Sequence, residues 1–258
     1  MVKGSRLMSD DTLIRLTGRG SFSKAHLVDP VESGYLLLAS CVDQRPPFGF
    51  FWESARKRRL IRELKPLVKA LPADGVQEVT LLKAILIPPG RGAYLKARPD
   101  AKIARFDVAI LIKTNNVAAA RSLLHSPALR DIQARLGDRS REPYTMLGSN
   151  IRRIGSVDHR RPGIFLFNYF FAASERQNLE VFDYTAGWFQ DETGLDNSEL
   201  MRPLTQQGAQ YTVINHARWN RLTDVLPSLL FKPSFPRYVL KHFEVNRTAA
   251  MPILYRLA

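Results

Sequence analysis

Two rhythms of apolar and polar positions alternate along the chain. SGYLLLASCV (33–42) is a short apolar run that predicts a buried strand, and RPPFGF breaks it. Residues 50–71, FFWESARKRRLIRELKPLVKAL, place Trp52, Leu60, Leu64, Leu67 and Leu71 at helical spacing with basic residues between them, which predicts an amphipathic helix with a cationic face. Strands are predicted at 78–87 and 104–113, a helix at 116–136 with a break allowed at Pro127, and a strand at 142–154. The order is β-α-β-β-α-β. The remainder repeats it: strand 163–173, helix 175–193 with Gly194 as its C-cap, strands 198–204 and 210–219, a helical stretch 220–243 interrupted around Pro233 and Pro236, and strand 249–258. Residues 1–30 lack periodicity and read as an irregular arm, followed by one repeat over 31–157 and a second over 158–258.

A short internal match supports duplication. SLLHSPAL starts at Ser122 and SLLFKPSF at Ser228, each after a strand and each with proline in sixth place, Pro127 and Pro233. Each half is then a ferredoxin-like unit with both helices on one face of a four-stranded antiparallel sheet. The other face needs a cover, and the sister sheet is the nearest one. The expected fold class is α+β, two tandem repeats whose sheets face each other as an intrachain α/β barrel.

On this element order and on the stretch FDVAILI…AAARSLLHSPAL, the chain resembles the dimeric α/β-barrel superfamily. That group includes EthD-like proteins, antibiotic-biosynthesis monooxygenases and haem members such as chlorite dismutase and dye-decolourising peroxidases. The resemblance implies a cavity for a small aromatic or polyketide-like molecule, which several members oxidise with oxygen and no cofactor. The GxxDG signature of the peroxidases is absent. No cofactor is predicted; a haem-binding barrel is an alternative that the resemblance allows, although no proximal histidine can be assigned.

Charge is unevenly shared. Residues 1–157 hold 27 Lys/Arg against 14 Asp/Glu, and residues 158–258 hold 11 against 10. The basic first half offers polyanion or nucleic-acid binding as an alternative function, through Arg56, Lys57, Arg58, Arg59 and Arg62. A solvated basic surface explains the same numbers. No apolar run reaches a membrane span, and no secretory signal is recognisable. The lone Cys41 excludes an intramolecular disulfide and suits a cytoplasmic protein. A homo-oligomer or a catalytically silent interaction protein also fits this sequence.

Candidate chemistry centres on VINHARWN (213–220), a strand carrying Asn215, His216 and Arg218. With the offset of the two SLL motifs, Ile214, His216 and Arg218 stand where the first half has Val108, Ile110 and Ile112. Polar groups in apolar positions demand a partner, because an unpaired buried one costs about 1–3 kcal/mol. Three readings are open: a cavity with His216 as base and Arg218 as anion clamp, a structural pairing with Asp183, Asp191 or Glu192, or an exposed strand end. Asn168, Tyr169, Tyr184, Trp188, Glu192, Asn215 and Tyr255 are the further candidate ligand contacts. His26, His125, His159 and His242 show no metal-ligand spacing, and neither a nucleophile motif nor a phosphate-binding loop is present.

Overall fold

The computed structural model describes residues 13–17, 20–43, 53–71, 74–88, 93–99, 101–139, 142–205 and 210–258. Trp52, residues 1–12, Gly18-Arg19 and Gly90-Arg91-Gly92 fall outside them. The first half runs β1 (Gly34–Ser40), α1 (Ala55–Lys69), β2 (Val76–Leu86), a one-turn α2 (Ala93–Lys96), β3 (Val108–Thr114), α3 (Val117–Leu124), α4 (Pro127–Arg139) and β4 (Tyr144–Gly155). The second runs β5 (Ile164–Ala172), α5 (Glu175–Thr193), β6 (Ser198–Pro203), β7 (Val213–Trp219), α6 (Leu222–Phe231), a π-helical turn Phe235–Leu240, α7 (Lys241–Val245) and β8 (Thr248–Leu257).

Local sequence explains the boundaries. Ser54 caps α1 by accepting the Lys57 amide at 3.0 Å, and Ser174 caps α5 in the same way. Gly194 closes α5 with φ 65°, a left-handed conformation that glycine adopts without strain. Pro127 opens α4, so the predicted break becomes two helices. Pro233 separates α6 from the π-helical turn at the matching place.

The sheet is one closed barrel in the order β1-β3-β2-β8-β5-β7-β6-β4. Read by halves this is β4-β1-β3-β2 and β8-β5-β7-β6, the ferredoxin-like order twice. The two sheets face each other across one barrel within the chain, as expected. Their edges hydrogen-bond, β2 to β8 and β4 to β6, which closes the barrel. Each strand is covered twice, by the barrel interior on one face and by helices on the other. That is why β1, β3 and β5 read as nearly continuous apolar runs, and why β7 is buried along its length although it carries Asn215, His216 and Arg218.

The interior is filled by Tyr35, Leu37, Leu82, Leu111, Phe106, Tyr144, Met146, Phe165, Phe167, Tyr169, Tyr211, Ile253 and Tyr255. Two further cores lie outside, beneath α1, α3 and α4 and beneath α5 and α6. The arm is ordered from Leu13 onwards where described. It crosses α5, where the Ala25 amide donates to the Asp183 carbonyl at 2.7 Å, and Leu13, Leu16 and Phe22 cover Tyr184, Trp188 and Tyr238. Among the described residues, no helix is long and apolar enough to cross a membrane.

Candidate functional site

The strand ladders correct the repeat alignment by one residue. Leu37 faces Leu111 across β1–β3, as Phe167 faces His216 across β5–β7, and Tyr35–Lys113 corresponds to Phe165–Arg218. The interior equivalents of Ile214, His216 and Arg218 are therefore Ala109, Leu111 and Lys113. Val108, Ile110 and Ile112 point outward into the helix-covered core. The strands and following helices both start 105 positions apart in the two halves, whereas Ser122 and Ser228 lie 106 apart, so the extra residue sits inside α6. A slip of one residue exchanges the two faces of a strand. A basic residue at this level of the barrel is thus a feature of both halves, and the histidine is the novelty of the second.

His216 is fully buried, with its ring stacked on Phe167 at 4.2 Å between centroids. Its Nδ1 lies 2.9 Å from the Leu166 carbonyl. A carbonyl only accepts, so Nδ1 carries the proton and Nε2 presents a lone pair. That lone pair meets Nε2 of His159 at 2.7 Å, and Nδ1 of His159 lies 2.9 Å from the Glu78 carboxylate. Each of the three gaps requires one proton. Three protons on Glu78, His159 and His216 make the chain neutral as a carboxylate, an imidazolium and an imidazole. Burial holds the His216 pKa well below the ordinary histidine value, with the charge on His159 second and Lys113 adding to it against the Leu166 carbonyl.

His159 reaches this place because Ser156–Gly163, the link between the halves, crosses the barrel mouth. Val157 enters the interior core, and the His159 ring is nearly coplanar with that of His216 and stacks on Phe165. Arg218 fixes the same link by donating from Nη2 to the Pro162 carbonyl at 2.7 Å, while its guanidinium lies 5.9 Å from the Phe165 ring centroid. Beside it, Glu199 accepts from Lys113 Nζ at 2.7 Å and from the Tyr35 hydroxyl at 3.1 Å. Burial and the Glu199 carboxylate push the Tyr35 hydroxyl far above the usual phenol range.

The polar end of the barrel opens at the β2–β8 seam. The strand pairing stops at Leu82–Leu257, and beyond it the Ala258 amide donates to the Leu81 carbonyl. Beyond that point, on the side facing β8, a groove of about 540 Å³ curls around the edge of β2. It is lined by Glu78, Thr80 and His159 from within and by Val79, Leu81, Lys65 and Lys69 from without. A second, polar cleft of about 250 Å³ adjoins Arg218, Asn197, Asp158 and Arg161.

The structure brings together His216, Arg218, Tyr169 and Tyr255 on the barrel interior, with the Tyr255 hydroxyl donating to the Phe106 carbonyl at 2.7 Å. Asn168 and Asn215 are ladder partners on the outward face, and Asn215 accepts from the Ser198 hydroxyl. Tyr184 and Trp188 belong to the outer cluster beneath the arm, and Glu192 pairs with Lys232. Asp183 pairs with Lys24 and Arg152, so the carboxylate that reaches the histidines is Glu78. On α1, Arg56, Arg58, Arg59 and Arg62 are exposed, whereas Lys57 is buried and lies 3.3 Å from Asp107. Cys41 is buried, and burial pushes its thiol up to about 11.

Sequence reasoning overlooks His159, Glu78, Glu199, Lys113 and Tyr35. The signal available was DHRRPG between the repeats, a histidine at a junction where the chain must pass a barrel end. A haem does not fit the interior as folded. Both ring nitrogens of His216 and His159 are engaged, and aromatic rings occupy the space. Among the described residues, no cluster of three His, Cys, Asp or Glu side chains could hold a metal ion.

No protein-family model matches the chain, and neither does any curated protein. Solved structures do. An anthrone oxidase-like protein superposes with a TM-score of 0.63 at 10% identity, covering 88% of this chain and 91% of that one. A monooxygenase candidate from Fusobacterium nucleatum gives 0.52 at 10% identity, covering 88% and 93%. The chain shares the barrel fold of these two structures, built here from two ferredoxin-like halves in one polypeptide.

Proposed function

We propose that the protein is an acid–base barrel enzyme acting on a small aromatic compound at the β2–β8 groove. The observation that carries this reading is the Glu78–His159–His216 chain, which runs from the groove into the interior. The Glu78 carboxylate, the part-exposed end of the chain, takes the proton of a compound in the groove with an acidic C–H or O–H, and the compound is left as its anion beside the His159 imidazolium. His216 holds His159 in place through the Nε2–Nε2 hydrogen bond, and His159 orients Glu78. Arg218 serves by anchoring the link that carries His159.

The finer reading is a cofactor-independent monooxygenase, in which the aromatic anion reacts with oxygen. Resemblance to an anthrone oxidase-like protein makes an anthrone the compound to test first. Oxygen uptake with anthrone is expected from the native protein and lost in His216→Ala with the circular dichroism unchanged. A folded His216→Ala protein that still turns over sinks the assignment. A second reading, polyanion binding, is supported by exposed Arg56, Arg58, Arg59 and Arg62 without Lys57, and predicts affinity falling steeply with salt.

A further inference from the structure

The groove is asymmetric in a way that acid–base chemistry alone does not require. Its apolar lining lies on both sides of the β2 edge, Val79 and Leu81 outside the barrel beside α1 and Leu257 of β8 inside. One wall is α1, which presents Lys65 and Lys69 one helical turn apart. Both lysines are exposed, and no ion pair among the described residues engages either of them. The end of the groove holds His159, whose Nδ1 is already committed to Glu78. Among the described residues, the acidic groups on the groove are Glu78, which is hydrogen-bonded to His159, and the carboxylate of Ala258, and neither lies within ion-pair distance of Lys65 or Lys69. Upstream on the same helix, Arg58 and Arg62 are exposed and extend the positive surface towards solvent.

A volume of about 540 Å³ is the size of a site for a compound of two or three rings. We infer that the groove selects a planar aromatic anion, bearing a carboxylate, sulfonate or phenolate. Its rings lie on Val79 and Leu81, its charge faces Lys65 and Lys69, and its inner edge passes the end of β2 towards Leu257 and His159. This rests on the proposed use of the groove and specifies its ligand class. The basic face of α1 then attracts a small organic acid, which joins the charge excess of the first half to the site at the seam.

The test is an equilibrium titration of the full-length protein with 8-anilinonaphthalene-1-sulfonate, alongside the neutral N-phenyl-1-naphthylamine. The anion is expected to bind the native protein more tightly than the neutral compound and to weaken with salt. The double variant Lys65→Gln/Lys69→Gln should lose about fivefold or more in affinity for the anion and none for the neutral probe. Both positions are exposed, so the variant folds, as its circular dichroism and melting curve will check. Shifts of the His159 ring resonances during the titration should accompany binding. Equal affinity for the two probes, an unchanged double variant, or silence at His159 would each overturn the inference. Because no turnover is measured, binding that survives while anthrone oxidation fails refutes the proposed chemistry alone.

Discussion

His216→Phe separates the role of the imidazole from that of its volume. Phenylalanine keeps the stack on Phe167 but removes both polar contacts of the ring, to the Leu166 carbonyl and to His159. At pH 7 the two stranded partners should cost together about 2–4 kcal/mol of folding stability. The pH dependence is the sharper test. The His216 pKa lies well below 6.5 in the folded protein, so below 6.5 the unfolded chain binds a proton that the folded one refuses. Stability from this residue is therefore present above that pH and is lost as pH falls towards the folded pKa. The slope for one proton is about 1.4 kcal/mol per pH unit, or about 2 kcal/mol between pH 6.5 and 5. His242, also depressed by burial, contributes equally to both proteins and cancels in the difference. His159, Lys113, Glu78, Glu199 and Arg218 are the charged or titratable groups around the ring. Urea unfolding from pH 5 to 7.5 should show the gap between native and His216→Phe proteins closing on acidification. Parallel curves would refute a buried, neutral His216.

Other expectations concern the polar groups around this site and beneath α1. Lys57→Met should destabilise the fold by about 3–5 kcal/mol, because it leaves the Asp107 carboxylate buried beside the Val42 and Asp43 amides with its cation removed. Burial already raises the Asp107 pKa against the pull of Lys57, so the loss should shrink at acid pH, where the carboxyl is neutral. Thermal melts at pH 4.5 and 7.5 check both statements. Glu199→Ala should cost about 3 kcal/mol by stranding Lys113 inside the barrel mouth, and Glu199→Ala/Lys113→Leu should recover most of it in a double-mutant cycle.

The architecture was legible because each strand is short, apolar and bounded by proline, glycine or polar turns, and because the helices carry one apolar stripe. Closure by edge pairing was not, since nothing in β2 or β8 marks an edge that meets another edge. His216 and Arg218 stood out as polar residues where a buried strand has none. Their partners did not, because Glu78 and His159 lie 81 positions apart in sequence and meet only through the barrel. The alignment of the halves went astray on the SLL motifs. They are true counterparts in position along the fold, yet one added residue in α6 sets them out of step with the strands before them. Tyr184, Trp188 and Glu192 share a helical stripe, but helical spacing does not say which layer the stripe packs against. Here it faces the arm and the final helices.

The shared proton is the centre of the account, and nitrogen-detected NMR of histidine-labelled protein observes it directly. Long-range proton–nitrogen correlations at pH 6.5 should show His216 protonated at Nδ1 alone, His159 protonated at both nitrogens, and a downfield proton common to the two Nε2 atoms. A His216 ring protonated at Nε2, or a neutral His159 with no shared proton, would contradict it.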